Sequence, residues 1–497
     1  CGKNDIGQLG MGHNDDISGP IINTFFNGKS IFKIKCGMNN VYYIDKTNKM
    51  YSTGLNNYNI LHHNNYNGNT LSNSNIFKEF INNQNTNNII IQKILNTEKN
   101  SFLIDDEGYL YVCGLNNYKQ LGLNDVSNIE LFYQNENIRN VLNIVSDGDS
   151  TIITTSENKI FVCGKNDYGQ LGINNNYIDV SLVSIEYINN NFGYKDIYIK
   201  HGYSYIVTNN NKIYSTGLNT YGQLNTLDNN NISQYAETNF SIYNDMSSNN
   251  IRLSLGKNHV LLVRFIDDIS YNENGDISYN ENGDIINNEN GELFNTGEIT
   301  NILYGCGSNE HRQILDTSEN KYNNFMSMNI DNLNSGIFQI YASYDYNTIL
   351  DNSGYLYGNG IDASLHSISN ILNDVNNETD EGNTGINQQI DISLNKFKIF
   401  NEKLTTVKEI PLIKNIQVGY STTIITDISN ELYCFGYNEN GQTTLGHDNY
   451  IGTITNINSY HDFKIKKIQM MNNTHTFILT MDNDLFMYGK NNENVFG

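Results

Sequence analysis

The chain has 497 residues with 30 Lys and Arg against 53 Asp and Glu, a formal net charge of −23. That charge repels phosphate backbones, since nucleic-acid affinity rests on Lys and Arg displacing counterions; DNA or RNA as principal ligand, and nucleosome docking, are argued against. Asn makes up nearly a fifth of the residues, Trp is absent, proline occurs only at Pro20 and Pro411, and no run of 18 apolar residues offers a membrane span.

One motif sets the organisation. It appears as CGKNDIGQLGM at 1–11, and near-copies follow as CGLNNYKQLGL at 113–123, CGKNDYGQLGI at 163–173, TGLNTYGQLNT at 216–226 and CGSNEHRQILD at 306–316. Worn or lengthened versions begin at Thr53, Asn359, Phe435 and Tyr488. The first glycines fall at Gly2, Gly54, Gly114, Gly164, Gly217, Gly307, Gly360, Gly436 and Gly489. Spacings of mostly 50 to 60 residues mark eight complete units and the start of a ninth, within a single repeat domain over 1–497. With a signature at each end, the chain reads as a segment of something longer.

Within a unit the apolar pattern is short and strand-like. In the fourth, Asp196 to Lys200 alternates, Gly202 breaks the pattern, Tyr205 to Thr208 resumes it, Asn209 to Asn211 turns, and Lys212 to Thr216 leads into the next signature glycine. The first unit repeats this as IFKIKCG, VYYID and KMYSTG, the last as KIKKIQM, FILTM and DLFMYG. Hairpin turns are predicted at 105–108 and 351–354. A further strand from the signature region gives four antiparallel strands per unit. The predicted fold is all-β, a closed β-propeller of seven or eight four-stranded antiparallel blades, with the signature as blade boundary.

Two segments break the rhythm. Residues 267–298 hold a tandem octapeptide, ISYNENGD at 269 and 277 and IINNENGE at 285, too poor in apolar surface to pack; a low-complexity acidic insertion is expected. Residues 370–409 run from acidic (Asp374, Glu378, Asp380, Glu381) to basic (Lys396, Lys398, Lys403, Lys408) and read as a loop insertion in the seventh unit.

The signature invites a chemical reading and resists it. Cys1, Cys113, Cys163 and Cys306 share the slot before the first glycine, but other copies put Thr53, Thr216, Asn359, Phe435 or Tyr488 there. That variety fits a packed strand end rather than a metal or redox site, and unpaired thiols suit a cytoplasmic or nuclear compartment. Gly164, Lys165 and Gly169 superficially resemble a phosphate cradle, yet a P-loop needs its Gly-Lys-Ser/Thr at the motif's end, opening a helix. Gly7, Gly169, Gly222 and Gly441 instead mark a turn needing positive φ, where Lys119 and Arg312 require the turn to change. The Asn two residues after the first glycine, as in Asn166, is expected to bond backbone across the turn, and the Gln of GQLG to bridge neighbouring blades. His259 and His475 stand at matching points before a strand and read as structural; His62 and His63, being adjacent, point apart. No HExxH or GxSxG context occurs, so no catalytic residue, metal or cofactor is assigned. The functional search moves to what does not repeat: the insertions, and His311 and Arg312 as candidate partner-binding residues.

The pattern G-x-N-x-x-G-Q-L-G, followed by a strand and then a hairpin ending in Y-x-x-G, resembles the regulator of chromosome condensation repeat family. The resemblance covers essentially the whole chain and is specific in the first, third, fourth and fifth units. It implies a propeller, usually seven-bladed in that family, whereas this sequence offers eight units. It implies one of two functions: a non-catalytic protein-protein interaction propeller in a larger regulatory protein, or a guanine-nucleotide exchange factor for a Ran-like small GTPase, the activity of the founding member. The family's UV-sensing branch depends on clustered tryptophans, which this chain lacks.

Overall fold

A computed structural model describes residues 11–14, 24–26, 31–36, 40–56, 61, 74–79, 89–97, 99–191, 193–226, 228–238, 250–265, 301–310, 313–315, 318–328, 337–342, 346–351, 356–360, 395–397, 413–418, 422–427, 431–436, 438, 451–457, 465–471, 475–480 and 485–489. These form eight antiparallel sheets. The first holds β1 (Ile31–Cys36), β2 (Asn40–Asp45), β3 (Met50–Gly54) and β4 (Ser74–Glu79). The second holds β5 (Ile91–Asn96), β6 (Asn100–Asp105), β7 (Leu110–Gly114) and β8 (Ile129–Gln134), the third β9 (Val141–Ser146), β10 (Ser150–Thr155), β11 (Ile160–Lys165) and β12 (Asp179–Ser184). A short helix, α1 (Glu186–Asn191), leads to the fourth: β13 (Asp196–Lys200), β14 (Tyr203–Val207), β15 (Ile213–Gly217) and β16 (Ile232–Glu237). The fifth is β17 (Asn250–Leu255), β18 (His259–Phe265), β19 (Ile302–Ser308) and β20 (Lys321–Ser327), the sixth β21 (Ile337–Ala342), β22 (Tyr346–Asp351), β23 (Leu356–Gly360) and β24 (Asn395–Phe397). The seventh is β25 (Ile413–Val418), β26 (Thr422–Asp427), β27 (Leu432–Gly436) and β28 (Ile451–Asn456); the eighth has, among the described residues, β29 (Ile465–Met471), β30 (His475–Thr480) and β31 (Leu485–Gly489).

Each sheet is a simple meander in sequence order, and the first strands meet around an axis: β1 contacts β5, β5 contacts β9, β9 contacts β13, β13 contacts β17, and β17 contacts β21. β25 contacts β29, and β29 contacts β1, so the last sheet meets the first and the propeller closes. Among the described residues the ring has eight sheets.

Why the second strands are buried throughout, polar residues such as Asn100, Ser101 and Thr151 included, follows from this arrangement. Each is covered on both faces by neighbouring sheets, so β2, β6, β10 and β14 are buried at every position. Fourth strands lie at the rim and are mostly half-buried or exposed instead, as in β8. The cores sit between sheets rather than within them: Phe102, Ile104 and Val112 of the second sheet pack on Val141, Ile144 and Cys163 of the third. Tyr205 and Leu224 of the fourth pack on Leu253, Val260 and Cys306 of the fifth. At about 1.5–3 kcal/mol per fully buried large apolar side chain, these seams are what hold the sheets together.

The signature does not sit at the blade boundary expected from its spacing. Cys163 and Gly164 end β11, and the rest of the motif is the connection to β12 in the same sheet. A feature that sequence reading does not reveal is a β-bulge at the first glycine. Pairing between third and fourth strands shifts register between Ser52 and Gly54, Val112 and Gly114, Val162 and Gly164, Ser215 and Gly217, Gly305 and Gly307, and Cys434 and Gly436. Gly164 takes φ +105, and a Cβ there would lie 2.3 Å from the Asp149 carbonyl oxygen, so only glycine fits. Gly2, Gly7 and Gly441 lie outside the described residues, as does all of 267–298. Within 370–409, Asn395–Phe397 is described and pairs with Leu356 to Gly358 as the sixth sheet's fourth strand.

Two isolated bridges repeat one relationship around the ring. Ile173, at the end of its signature, pairs with Gln234 in the fourth strand of the following sheet. Met11, at the same place in the N-terminal signature, pairs with Ile76 in the fourth strand of the first sheet. Met11 thus stands one ring step before the first sheet.

Candidate partner-binding face

Signature loops from successive sheets lie along one face, and their polar side chains are spent on building it. In the third sheet the Leu171 N–H donates to Asn166 Oδ1 (2.8 Å) and Asn166 Nδ2 donates to the Asn175 carbonyl (2.7 Å). The same pair of bonds recurs at Asn219, with the Leu224 N–H (2.9 Å) and the Asp228 carbonyl (2.7 Å), and at Asn309, with the Ile314 N–H (2.8 Å) and the Glu319 carbonyl (2.9 Å). Asn116 likewise accepts from the Leu121 N–H (2.9 Å) and donates to the Asp125 carbonyl. The expected backbone bonding of this Asn is what is observed.

The glutamine behaves differently from expectation. Gln170 Oε1 accepts from the Tyr168 N–H (3.0 Å), as Gln120 does from Tyr118 (3.0 Å) and Gln223 from Tyr221 (2.9 Å). The side chain closes its own turn. Neighbouring sheets are bridged by the glutamine's main-chain carbonyl, which accepts from Ser204 Oγ at Gln170 (2.6 Å) and from Cys163 Sγ at Gln120 (3.6 Å). Lys119 also departs from the sequence expectation. It adopts φ 62 and keeps the turn, its N–H donating to the Asn116 carbonyl (2.9 Å) as that of Gly169 does to Asn166 (3.0 Å). Its Nζ then pairs with Asp179 Oδ2 of the next sheet at 3.2 Å. Gly169 is more constrained, because a Cβ there would stand 2.5 Å from Ser233 Cα.

The cysteine slot is a small hydrogen-bond donor on a buried strand end. Thr216 fills it with Oγ1 donating to the Gly169 carbonyl (2.8 Å), while Cys306 Sγ reaches the Gln223 carbonyl (3.8 Å). Cys113, Cys163, Cys306 and Cys434 are free and buried. Burial pushes the Cys163 thiol up to about 12 and raises Cys113 and Cys306 as well, the opposite of an activated nucleophile. His259 is fully buried, its Nε2 2.7 Å from Asn347 Oδ1, and Asn347 in turn donates to the Gln313 carbonyl. Burial depresses this imidazole to about 4, as expected for a structural histidine. Among the described residues no group of three or more His, Cys, Asp or Glu gathers as a metal site.

The turns bring their fifth and sixth residues to the surface: Asn117, Thr220 and Tyr168 are exposed, and Asp167, Tyr118 and Tyr221 are half-buried. Tyr118, Tyr168 and Tyr221 occupy the sixth slot in the second, third and fourth sheets, each held by the same glutamine bond. Tyr168 is 38% exposed and its ring lies on Gly202, where a Cβ would come within 2.7 Å of Cδ2. Between Tyr118 and Tyr168 sits the Lys165 ammonium, 5.8 and 6.0 Å from their ring centroids and 3.0 Å from Asp167 Oδ2. Beside it Lys99 Nζ pairs with Asp149 Oδ1 at 2.8 Å. His311 and Arg312, the candidates suggested by sequence, fall in the signature between β19 and β20 but lie outside the described residues. The tyrosines are visible in the sequence as a recurring aromatic, but a residue that repeats with its motif reads there as scaffold.

Residues 413–442, from β25 into the signature that begins at Phe435, match the family described as Regulator of chromosome condensation (RCC1) repeat. No curated protein is similar enough in sequence to match. Among solved structures, the chain is similar to Prp20p from Saccharomyces cerevisiae, described with its binding to Gsp1p and histones, at 14% identity and TM-score 0.54 over 99% of this chain and 91% of that one. Yeast RCC1 (Prp20) bound to Kap60 gives 13% and 0.53 over 99% and 88%. Human WBSCR16 gives 14% and 0.52 over 88% and 96%. At these identities the likeness is one of fold. No helix among the described residues is long and apolar enough to cross a membrane.

Proposed function

We propose that this propeller, whose chain carries a regulator of chromosome condensation repeat, is a non-catalytic protein-protein interaction module working in the cytoplasm or nucleus. The observation that carries the reading is how the signature's polar groups are used. Asn166 and Gln170 bond their own turn, Cys163 is buried with its thiol held protonated, and His259 is closed inside a seam. Such residues build a rigid ring whose exposed loops are free to recognise a partner. Buried cysteines that form no disulfide among the described residues suit a reducing compartment.

The alternative is guanine-nucleotide exchange on a Ran-like small GTPase, motivated by the fold shared with Prp20p, a protein described with binding to Gsp1p. The two readings separate in one assay. A Ran-like GTPase loaded with a fluorescent GDP analogue is mixed with excess unlabelled nucleotide and micromolar propeller. The interaction reading expects release at the intrinsic rate, and a large acceleration would establish exchange activity in its place.

A further inference from the structure

Resting on the interaction reading, we infer that the arc of Tyr118, Tyr168 and Tyr221 on the signature face is a docking strip for a Lys- and Arg-rich segment of a protein partner, with Lys165 as its built-in occupant. Three consecutive turns hold the three tyrosines at equivalent positions, because in each the tyrosine N–H is tied to the glutamine two residues on; Tyr168 is exposed and Tyr118 and Tyr221 are half-buried. The first gap in the arc already holds a cation of the chain itself. There a primary ammonium lies near the limit of cation–π contact with two rings and against a carboxylate. Asp149 and Asp167, paired with Lys99 and Lys165, are 28% and 30% exposed, so their carboxylates are also within reach of solvent. In the next gap, between Tyr168 and Tyr221, the residue equivalent to Lys165 is Leu218, which packs into the core instead. That gap therefore has no lysine in the slot that Lys165 fills. The chain's net charge of −23 favours the long-range approach of a basic segment over an acidic one.

Lys165 makes the proposal testable, because it competes with the ligand. Titrating the full chain into a labelled Lys- and Arg-rich peptide, with fluorescence anisotropy as readout, gives saturable binding that the Glu-substituted peptide lacks. Lys165→Met vacates the first gap and tightens binding by about threefold, whereas Tyr118→Ala with Tyr168→Ala weakens it about tenfold, the loss of two exposed cation–π contacts. Tyr168→Phe keeps the ring face and leaves binding within about twofold of the parent. Matching circular dichroism and melting curves show that each variant is folded. Binding that ignores the tyrosines, or that Lys165→Met weakens, would overturn the docking strip in favour of diffuse attraction to an acidic surface, as would an absence of peptide binding. The interaction reading itself falls on measurements with a Ran-like GTPase and not on peptide binding, so the two failures are distinguishable.

Discussion

Cys163 Sγ lies 3.6 Å from the carbonyl oxygen of Gln120, a contact that carries one signature onto the strand end of the next sheet. The thiol is there to donate a weak hydrogen bond across the seam, a role Thr216 performs at 2.8 Å one sheet further on. Cys163→Thr is therefore expected to be near neutral, and Cys163→Ala to cost about 1 kcal/mol in urea unfolding, from the lost bond and the small cavity.

The same burial sets reactivity. With Cys163 pushed up to about 12 and Cys113 and Cys306 raised too, almost none of these thiols is ionised in neutral solution. Thiol titration of the native protein should leave Cys113, Cys163, Cys306 and Cys434 unlabelled, with all four reacting once denaturant is added. Rapid native labelling of Cys163 would contradict the packed strand end.

Asn166 closes its turn with one accepted and one donated bond. Asn166→Ala leaves the Leu171 N–H and the Asn175 carbonyl unanswered in a buried site and should cost about 2–4 kcal/mol. Asn166→Asp keeps the acceptor but buries a charge without its donor, so it is expected to be no milder. Chemical denaturation of the two variants checks both values.

Gly169 and Lys119 occupy the same turn position with opposite tolerance. Gly169→Ala meets backbone at 2.5 Å and should destabilise by more than about 2 kcal/mol, since neither φ +81 nor the facing strand accommodates a methyl. Lys119→Gly relieves left-handed strain but gives up the Asp179 pair and loosens the unfolded chain, leaving stability within about 1 kcal/mol of the parent. Melting curves compare the two.

His259 predicts a pH dependence with a definite sign. Its folded value of about 4 lies below the ordinary 6.5, so between these the unfolded chain takes up a proton that the folded chain refuses. Stability from this group is intact above pH 6.5 and falls as pH drops toward 4, at up to about 1.4 kcal/mol per pH unit. His259→Gln should flatten that part of the profile, measured by urea unfolding at a series of pH values.

The ring is legible in the repeat itself, because nine spaced glycines and short alternating runs fit little else. Spacing also foresees Asn166, whose partners are a few residues away. It foresees a bridge between sheets at Gln170 but not that the main-chain carbonyl makes it, to Ser204, nor the phase of the blade, since the first glycine is a bulge inside a sheet and bulges leave no mark in periodicity. Lys119 misleads because a positive φ disfavours lysine in isolation, whereas here a partner at Asp179 holds it in place. Tyr118 and Tyr168 look like scaffold because they repeat, yet a repeated residue on an exposed turn becomes a surface once the sheets line up.

The most direct test of non-catalytic recognition is equilibrium affinity for a Ran-like GTPase in its GDP-bound and nucleotide-free forms. An exchange factor must bind the empty form far more tightly, because the free energy that expels nucleotide is the same coupling that favours the empty state. An interaction propeller is predicted to show equal affinities, or no binding, in both forms. A preference for the empty GTPase of about a hundredfold or more would contradict the account.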